Sequence, residues 1–146
     1  MPFSYDTFLD ELIARTAAAA SLEYAATPRA IWKSEAVEGS NALGQFAADP
    51  YSVLRLHAGG REFLPVYKPA IQVMTVGTSP AAAWAQCQAI FDSLIDAGGL
   101  PLRMVSLTHY RILGVFLRPL ISLGKDERGR SRVAFNFDCD AVKTTN

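Results

Sequence analysis

Two histidines and three close pairs of carboxylates are the side chains of this sequence that could carry acid–base or metal chemistry. His57 and His109 have no Cys, His or carboxylate neighbour at the spacing of metal ligands, so both are predicted to be polar surface residues. The carboxylate pairs are Asp10/Glu11, Asp126/Glu127 and Asp138/Asp140. No apolar pocket can be inferred around any of these pairs, so none of them predicts a catalytic dyad.

The pair formed by Asp138 and Asp140 lies on the polar face of a predicted strand, which leaves a calcium site or a raised pKa open as alternatives. A solvated face or an interfacial salt bridge is the favoured interpretation. The sequence also contains no glycine-rich phosphate loop and no Gly-x-Ser-x-Gly motif. We therefore expect no catalytic residue, no cofactor and no metal site, and predict that the protein is not an enzyme.

The two cysteines, Cys87 and Cys139, fall on the predicted buried faces of a helix and a strand. A disulfide or a reactive thiol is the functional alternative for such a pair. We interpret them instead as small core residues of a protein kept in a reducing cytoplasm.

Composition and charge limit the class of protein. The 146 residues predict a single domain spanning 1–146, and 50% hydrophobic with 19% charged residues is typical of a globular chain. The sequence contains 14 basic residues (Lys and Arg) and 14 acidic residues (Asp and Glu), so its formal net charge is zero. This charge argues against general electrostatic binding to nucleic acid or to an anionic membrane. A local basic patch stays possible, and low net charge favours self-association. No apolar stretch approaches the ~20 residues of a membrane span, so neither secretion nor insertion is expected.

The central stretch predicts a strand that feeds a helix. Ala70–Val76 alternates like a half-buried strand, Ser79 is a helix cap, and Pro80 suits the first helical position. The helix is predicted over Ala81–Asp96 and ends at Gly98-Gly99. Its apolar stripe consists of Ala83, Trp84, Cys87, Ile90, Phe91, Leu94 and Ile95.

The flanking segments predict a second helix and the remaining strands. A helix capped by Ser4 is expected to end between Ala20 and Tyr24, and Arg29–Ser34 is a first strand. Glu35–Pro50 reads as a long loop, either a disordered connection or an interaction arm. The other predicted strands are Tyr51–Ala58, a return over Arg61–Val66 after a Gly59-Gly60 turn, Pro101–Thr108 and Tyr110–Leu117.

The C-terminal segment predicts a long β-hairpin with a charged tip. Pro119–Leu123 leads into Gly124–Arg130, and Ser131–Val142 then alternates apolar and polar residues. The tip residues Lys125, Asp126, Glu127, Arg128 and Arg130 form the candidate protein interface. We predict an α+β fold: a mostly antiparallel sheet, two amphipathic helices packed on one face, and this long hairpin.

The order of these elements resembles the tail terminator (tail completion) proteins of long-tailed bacteriophages, sometimes termed minor capsid proteins. The resemblance extends over roughly Phe3 to Val142. It is carried by the strand around Gln72, the Thr78-Ser79-Pro80 helix start, the helix end Ile90–Ile95 and the hairpin Leu123–Arg130.

This resemblance implies a structural role in a virion tail or neck that is assembled in the host cytoplasm. Such proteins form a hexameric ring on the completed tail tube, stop tube polymerisation and present a surface to the head-completion or connector protein. A heterologous interface repeated about a six-fold axis closes into such a ring. DNA would pass through it without sequence-specific binding, and no membrane is involved.

Two other functions stay open at this point. The chain could be another neck or head-completion protein of the same kind of virion. Alternatively, a small α+β ligand-binding domain or enzyme would require a concave pocket around His57, His109 or Asp138.

Overall fold

The computed structural model describes residues 3–36, 38, 44, 46–58 and 66–144. Within these residues the chain forms two helices and seven strands. The helices are α1 (Tyr5–Ala19) and α2 (Pro80–Asp92), and the strands are β1 (Arg29–Lys33), β2 (Ala47–Ala58), β3 (Ala70–Gly77), β4 (Arg103–Ser106), β5 (Tyr110–Leu117), β6 (Ile121–Lys125) and β7 (Ser131–Lys143). This content confirms the predicted α+β class.

One sheet contains all seven strands in the order β1-β2-β3-β7-β5-β4, and β6 also pairs with β7. β1 and β2 are parallel and every other pairing is antiparallel. β7 is the central strand, because its first half lies between β3 and β6 while its second half pairs with β5. The hairpin formed by β6 and β7 is therefore an extension of the main sheet.

Both helices pack on one face of this sheet. α1 contacts β1 and β2, and α2 contacts β2, β3 and β7. The alternation predicted for the last strand is confirmed, since its apolar residues all face the helices and are buried. These residues are Val133, Phe135, Phe137, Cys139 and Ala141. They meet Phe8, Leu9, Leu12, Ile13, Ala83, Cys87, Ile90 and Leu94 from the helices.

The two predicted helix caps are confirmed. The hydroxyl of Ser4 accepts a hydrogen bond from the N–H of Thr7 at 3.2 Å, and that of Ser79 accepts one from Ala82 at 3.3 Å. Pro80 occupies the first turn of α2, where its missing N–H leaves no hydrogen bond unmade.

The predicted end of α2 is wrong by about one turn. The helix ends at Asp92, and Ile95 forms an isolated bridge with Pro101 instead of a helical turn. The carboxylate of Asp96 accepts hydrogen bonds from the N–H groups of Gly98 and Leu100, at 2.9 and 3.0 Å. This local turn competes successfully with the helix, because an Asp side chain offers the backbone an alternative acceptor.

One predicted core residue is exposed instead. Trp84 is 42% exposed, since α2 packs on the sheet through a narrow stripe of Ala83, Cys87 and Ile90. Leu56 is 39% exposed, and its neighbours in β2 are exposed as well. No described residue therefore buries this end of β2 on either face.

Strand bounds differ from the predicted ones mainly around the first loop. β2 begins at Ala47, so the predicted loop Glu35–Pro50 is shorter than expected. β4 covers only Arg103–Ser106, and β5 contains a bulge, seen as a shift of register between Ile112 and Gly114. The predicted Gly59-Gly60 turn and nearly all of its return strand lie outside the described residues.

Cys87 and Cys139 are both free and buried, which confirms that they are core residues. Burial raises the pKa of the Cys87 thiol to about 11, and it also raises the pKa of Cys139. No described helix is both long and apolar enough to cross a membrane.

Replacing Thr16 by valine should raise the free energy of unfolding by about 1 kcal/mol. Thr16 lies on the buried face of α1, 1% exposed, and its hydroxyl has no hydrogen-bond partner among the described residues. Valine removes this buried polar group and keeps the shape, so thermal unfolding followed by circular dichroism should show a midpoint about 2–4 °C higher.

Thr7→Val is the matched control, because Thr7 is exposed on the same helix. This control should give no gain. A loss of stability in Thr16→Val would show that the hydroxyl has a partner in solution and would contradict the prediction.

Candidate functional site

The tip of the β6–β7 hairpin is a tightly hydrogen-bonded turn organised by Asp126. One carboxylate oxygen of Asp126 accepts hydrogen bonds from the N–H groups of Arg128 and Arg130, both at 2.9 Å. The N–H of Asp126 in turn donates to the carbonyl of Arg130 at 2.8 Å. Gly129 has a φ of +74°, a left-handed conformation that favours glycine at this position of the turn. The tip is therefore ordered by its own backbone.

Side chains then tie this tip to the loop that precedes β2. The guanidinium groups of Arg128 and Arg130 each contact a different carboxylate oxygen of Glu38. Arg130 also contacts Asp126 at 2.8 Å, and the hydroxyl of Tyr51 on β2 donates to Glu38 at 2.7 Å. Glu38 thus joins the hairpin, the loop and the sheet through three contacts.

The electrostatics of this cluster stabilise its charged forms. The hydrogen bond from Tyr51, followed by that from Arg130, holds the pKa of Glu38 below its usual value. Burial and the neighbouring Glu38 raise the pKa of Tyr51 to about 12, and contact with Glu38 raises that of Arg130. At neutral pH the carboxylate of Glu38 is therefore charged and paired with Arg130.

Glu38→Gln should lower the free energy of unfolding by less than about 1 kcal/mol near pH 7, since solvent screens this partly exposed pair. The pKa of Glu38 is lower in the folded state than its usual 4.5. Its contribution is thus present above that value and is lost as the pH falls through the folded pKa. Urea unfolding of the two proteins should show a gap near pH 7 that closes in acid.

Glu35→Gln serves as the control, because Glu35 is an exposed carboxylate of the same loop with no ion pair to any described residue. A gap for Glu38→Gln that persists well below pH 4.5 would contradict the assignment to its charge.

The structure brings together three of the five predicted interface residues: Asp126, Arg128 and Arg130. Lys125 and Glu127 are exposed, and neither forms an ion pair with a described residue. The tip is thus partly committed to intramolecular contacts. The outward charged surface of the tip consists of Lys125, Glu127 and the exposed part of Arg128.

Sequence reasoning missed Glu38, which sits in the same cluster. It was hidden because it lies 90 residues before Arg128 in a segment without periodicity. The sequence offers one signal, a carboxylate in one segment and arginines at the tip of a distant hairpin. This signal is too weak to predict that the two segments are in contact.

Next to the tip, β6 is an edge strand with an apolar surface. All five of its residues are exposed, and within the described part of the chain it pairs with β7 alone. Ile121 is 57% and Leu123 40% exposed. A strand with one unpaired edge and exposed apolar side chains can add a further strand from another chain.

The remaining candidate residues occupy structural contacts. His57 is exposed, and Nδ1 of His109 contacts Glu11 at 2.8 Å, which confirms both as surface residues. Asp140 is paired with Lys68 in a salt bridge within the chain, which is not the interfacial salt bridge expected. Among the described residues, no group of three or more His, Cys, Asp or Glu is placed to hold a metal ion.

Neither a protein-family model nor a curated protein matches this chain. Its fold is similar to that of a chain from a solved structure described as the virion of native gene transfer agent (GTA) particle. The two chains share 15% sequence identity, and the TM-score is 0.59. The match covers 97% of this chain and 100% of the other. The chain therefore has the fold of one whole protein chain of that particle.

Proposed function

We propose that this protein is a structural component of a virion and acts as a tail terminator, a ring that caps the tail tube and stops its polymerisation. The observation that carries the proposal is the similarity of fold to a virion chain over the full length of both chains. The element order that resembles tail terminators supports the narrower role.

The exposed features of the hairpin suit a ring-forming contact. Among the described strands β6 pairs with β7 alone, so its other edge presents Ile121 and Leu123, and the tip beside it carries both signs of charge. Burial of the apolar side chains would supply affinity, while Lys125 and Glu127 would fix the register through complementary charges. A contact between this hairpin and a different surface of the next copy is heterologous, so it closes into a ring when the rotation permits.

The proposed partners are further copies of the chain, the tail tube protein, and a head-completion or connector protein. The role is structural, without a catalytic step or a cofactor. The protein acts in the tail or neck of the virion, assembled in the host cytoplasm.

Light scattering coupled to size exclusion, with negative-stain imaging, tests the ring. We expect a hexamer in solution or, where the free protein is monomeric, rings at the ends of added tail tubes. A protein that stays monomeric at every concentration and does not bind tube ends would contradict the proposal. Exclusive capture by portal or adaptor protein would assign the chain to another part of the neck.

A further inference from the structure

Four arginines of the sheet have no acidic partner. Arg55, Arg103, Arg111 and Arg118 are exposed, and none lies within 4 Å of a described carboxylate. Four other described basic residues pair with carboxylates: Lys33, Lys68, Arg128 and Arg130. Three more, Arg15, Arg29 and Arg132, donate hydrogen bonds to backbone carbonyls. Free arginines in a protein of zero net charge therefore mark a specific surface.

The strand register places these arginines on the sheet face opposite the helices, hereafter the open face. On β7 this face carries Asn136, Asp138, Asp140 and Val142, which alternate with the buried core residues. Arg55 aligns with Gln72 and through it with Asn136, and the N–H of Arg118 bonds to the carbonyl of Asn136. Arg111 aligns with Val142, and Arg103 aligns with Gly114, which is opposite Asp140.

Five described carboxylates lie on the helix side of the sheet. α1 carries Asp6, Asp10 and Glu11, and Asp92 and Asp96 lie at and beyond the end of α2. On the open face of β7 the carboxylates are Asp138 and Asp140, and Lys68 neutralises Asp140. The two sides thus differ in charge although the whole chain is neutral.

The spacing of the four side chains matches an extended polyanion better than a small ligand. Arg55 and Arg118 are three strand spacings apart, or about 14 Å, and Arg111 and Arg118 are separated by about 23 Å along β5. These spans exceed the ~12 Å width of a major groove, so the arginines can reach phosphates of both strands. Each guanidinium can bind a phosphate through two parallel hydrogen bonds.

We propose that the open face binds the phosphate backbone of duplex DNA, without reading its sequence. This assignment deepens the proposed function and rests on it for the source of the duplex, the DNA that passes through the tail. The binding energy comes from counterion release, so affinity must fall steeply with salt.

Fluorescence anisotropy with a mixed-sequence DNA duplex tests the proposal on the full-length protein. Four phosphate contacts predict a log–log salt slope of about −3.6, which is a loss of affinity of about 100-fold between 50 and 200 mM salt. Replacing all four arginines by glutamine should abolish binding, while replacing all four by lysine should keep the slope.

Two double variants distinguish DNA binding by this face from a general effect of the protein's net charge. Arg55→Gln/Arg118→Gln should reduce the magnitude of the slope by about 2. Arg15→Gln/Lys143→Gln removes the same charge elsewhere, since Arg15 lies on α1 and Lys143 aligns with the buried Tyr110, and should leave the slope unchanged. Unfolding in urea checks that all variants are folded.

Equal loss in the two double variants, or no DNA binding by the native protein at low salt, would overturn the proposal. The variant with all four arginines replaced by glutamine should also be tested with tube protein. If it loses binding to tube protein but binds DNA as the native protein does, the proposal is overturned and the open face is assigned to a protein partner. A protein that caps tubes without binding DNA refutes this inference alone. One that binds DNA but does not cap tubes refutes the terminator role and leaves the phosphate-binding face in place.

Discussion

Replacing both Ile121 and Leu123 by aspartate should abolish ring assembly and leave the monomer folded. The two side chains are 57% and 40% exposed on an edge strand, so the change removes little from the core. Within a subunit interface each buried apolar side chain contributes about 1.5–3 kcal/mol, and an unpaired carboxylate there adds a desolvation cost. Together these losses correspond to a weakening of assembly by more than about 100-fold.

Light scattering over a concentration series and imaging of tube ends would measure this effect. Leu100→Asp is the control, because Leu100 is 55% exposed in the connection between α2 and β4, outside the proposed contact. Normal rings formed by the Ile121→Asp/Leu123→Asp protein would exclude β6 from the interface. Loss of rings in the control as well would indicate a general effect of surface charge.

Phe135→Ala should lower the free energy of unfolding by about 3–5 kcal/mol, the range for deleting a buried aromatic ring. Phe135 is 1% exposed on the central strand, where its ring contacts Phe91 edge-on at 5.3 Å and stacks on Phe137 at 5.9 Å. It is also the register partner of Val73 on β3. Its removal therefore leaves a cavity where β3, β7 and α2 meet.

Urea unfolding measures this loss, with Phe116→Ala as the control. Phe116 lies on the neighbouring strand but is 58% exposed, so its truncation should change stability by less than about 0.5 kcal/mol. A cost below about 1 kcal/mol for Phe135→Ala would show that the core can collapse around the missing ring, contrary to the packing described.

The sequence predicted best the elements whose residues are specified by local patterns. β7 could be predicted residue by residue because one of its faces is buried along its length, which enforces a strict period of two. Ser79 and Pro80 marked the start of α2 because the cap is a local hydrogen bond.

Features that depend on distant residues could not be predicted. The end of α2 depends on the turn around Asp96. The exposure of Trp84 depends on how the helix is oriented on the sheet. The parallel pairing of β1 with β2 requires knowledge of the crossover between them. The contacts of Glu38 with the hairpin, and the alignment of four arginines on one face, follow from the assembled sheet.

Tail tube length in a polymerisation reaction tests the terminator role most directly. Tube protein would be polymerised with and without this protein, and the tubes would be measured by negative-stain electron microscopy. We expect tubes that stop growing, with one ring at the end of each, and renewed growth when the Ile121→Asp/Leu123→Asp variant replaces the native protein. Tubes that grow equally long in its presence, with no density at their ends, would contradict the proposed function.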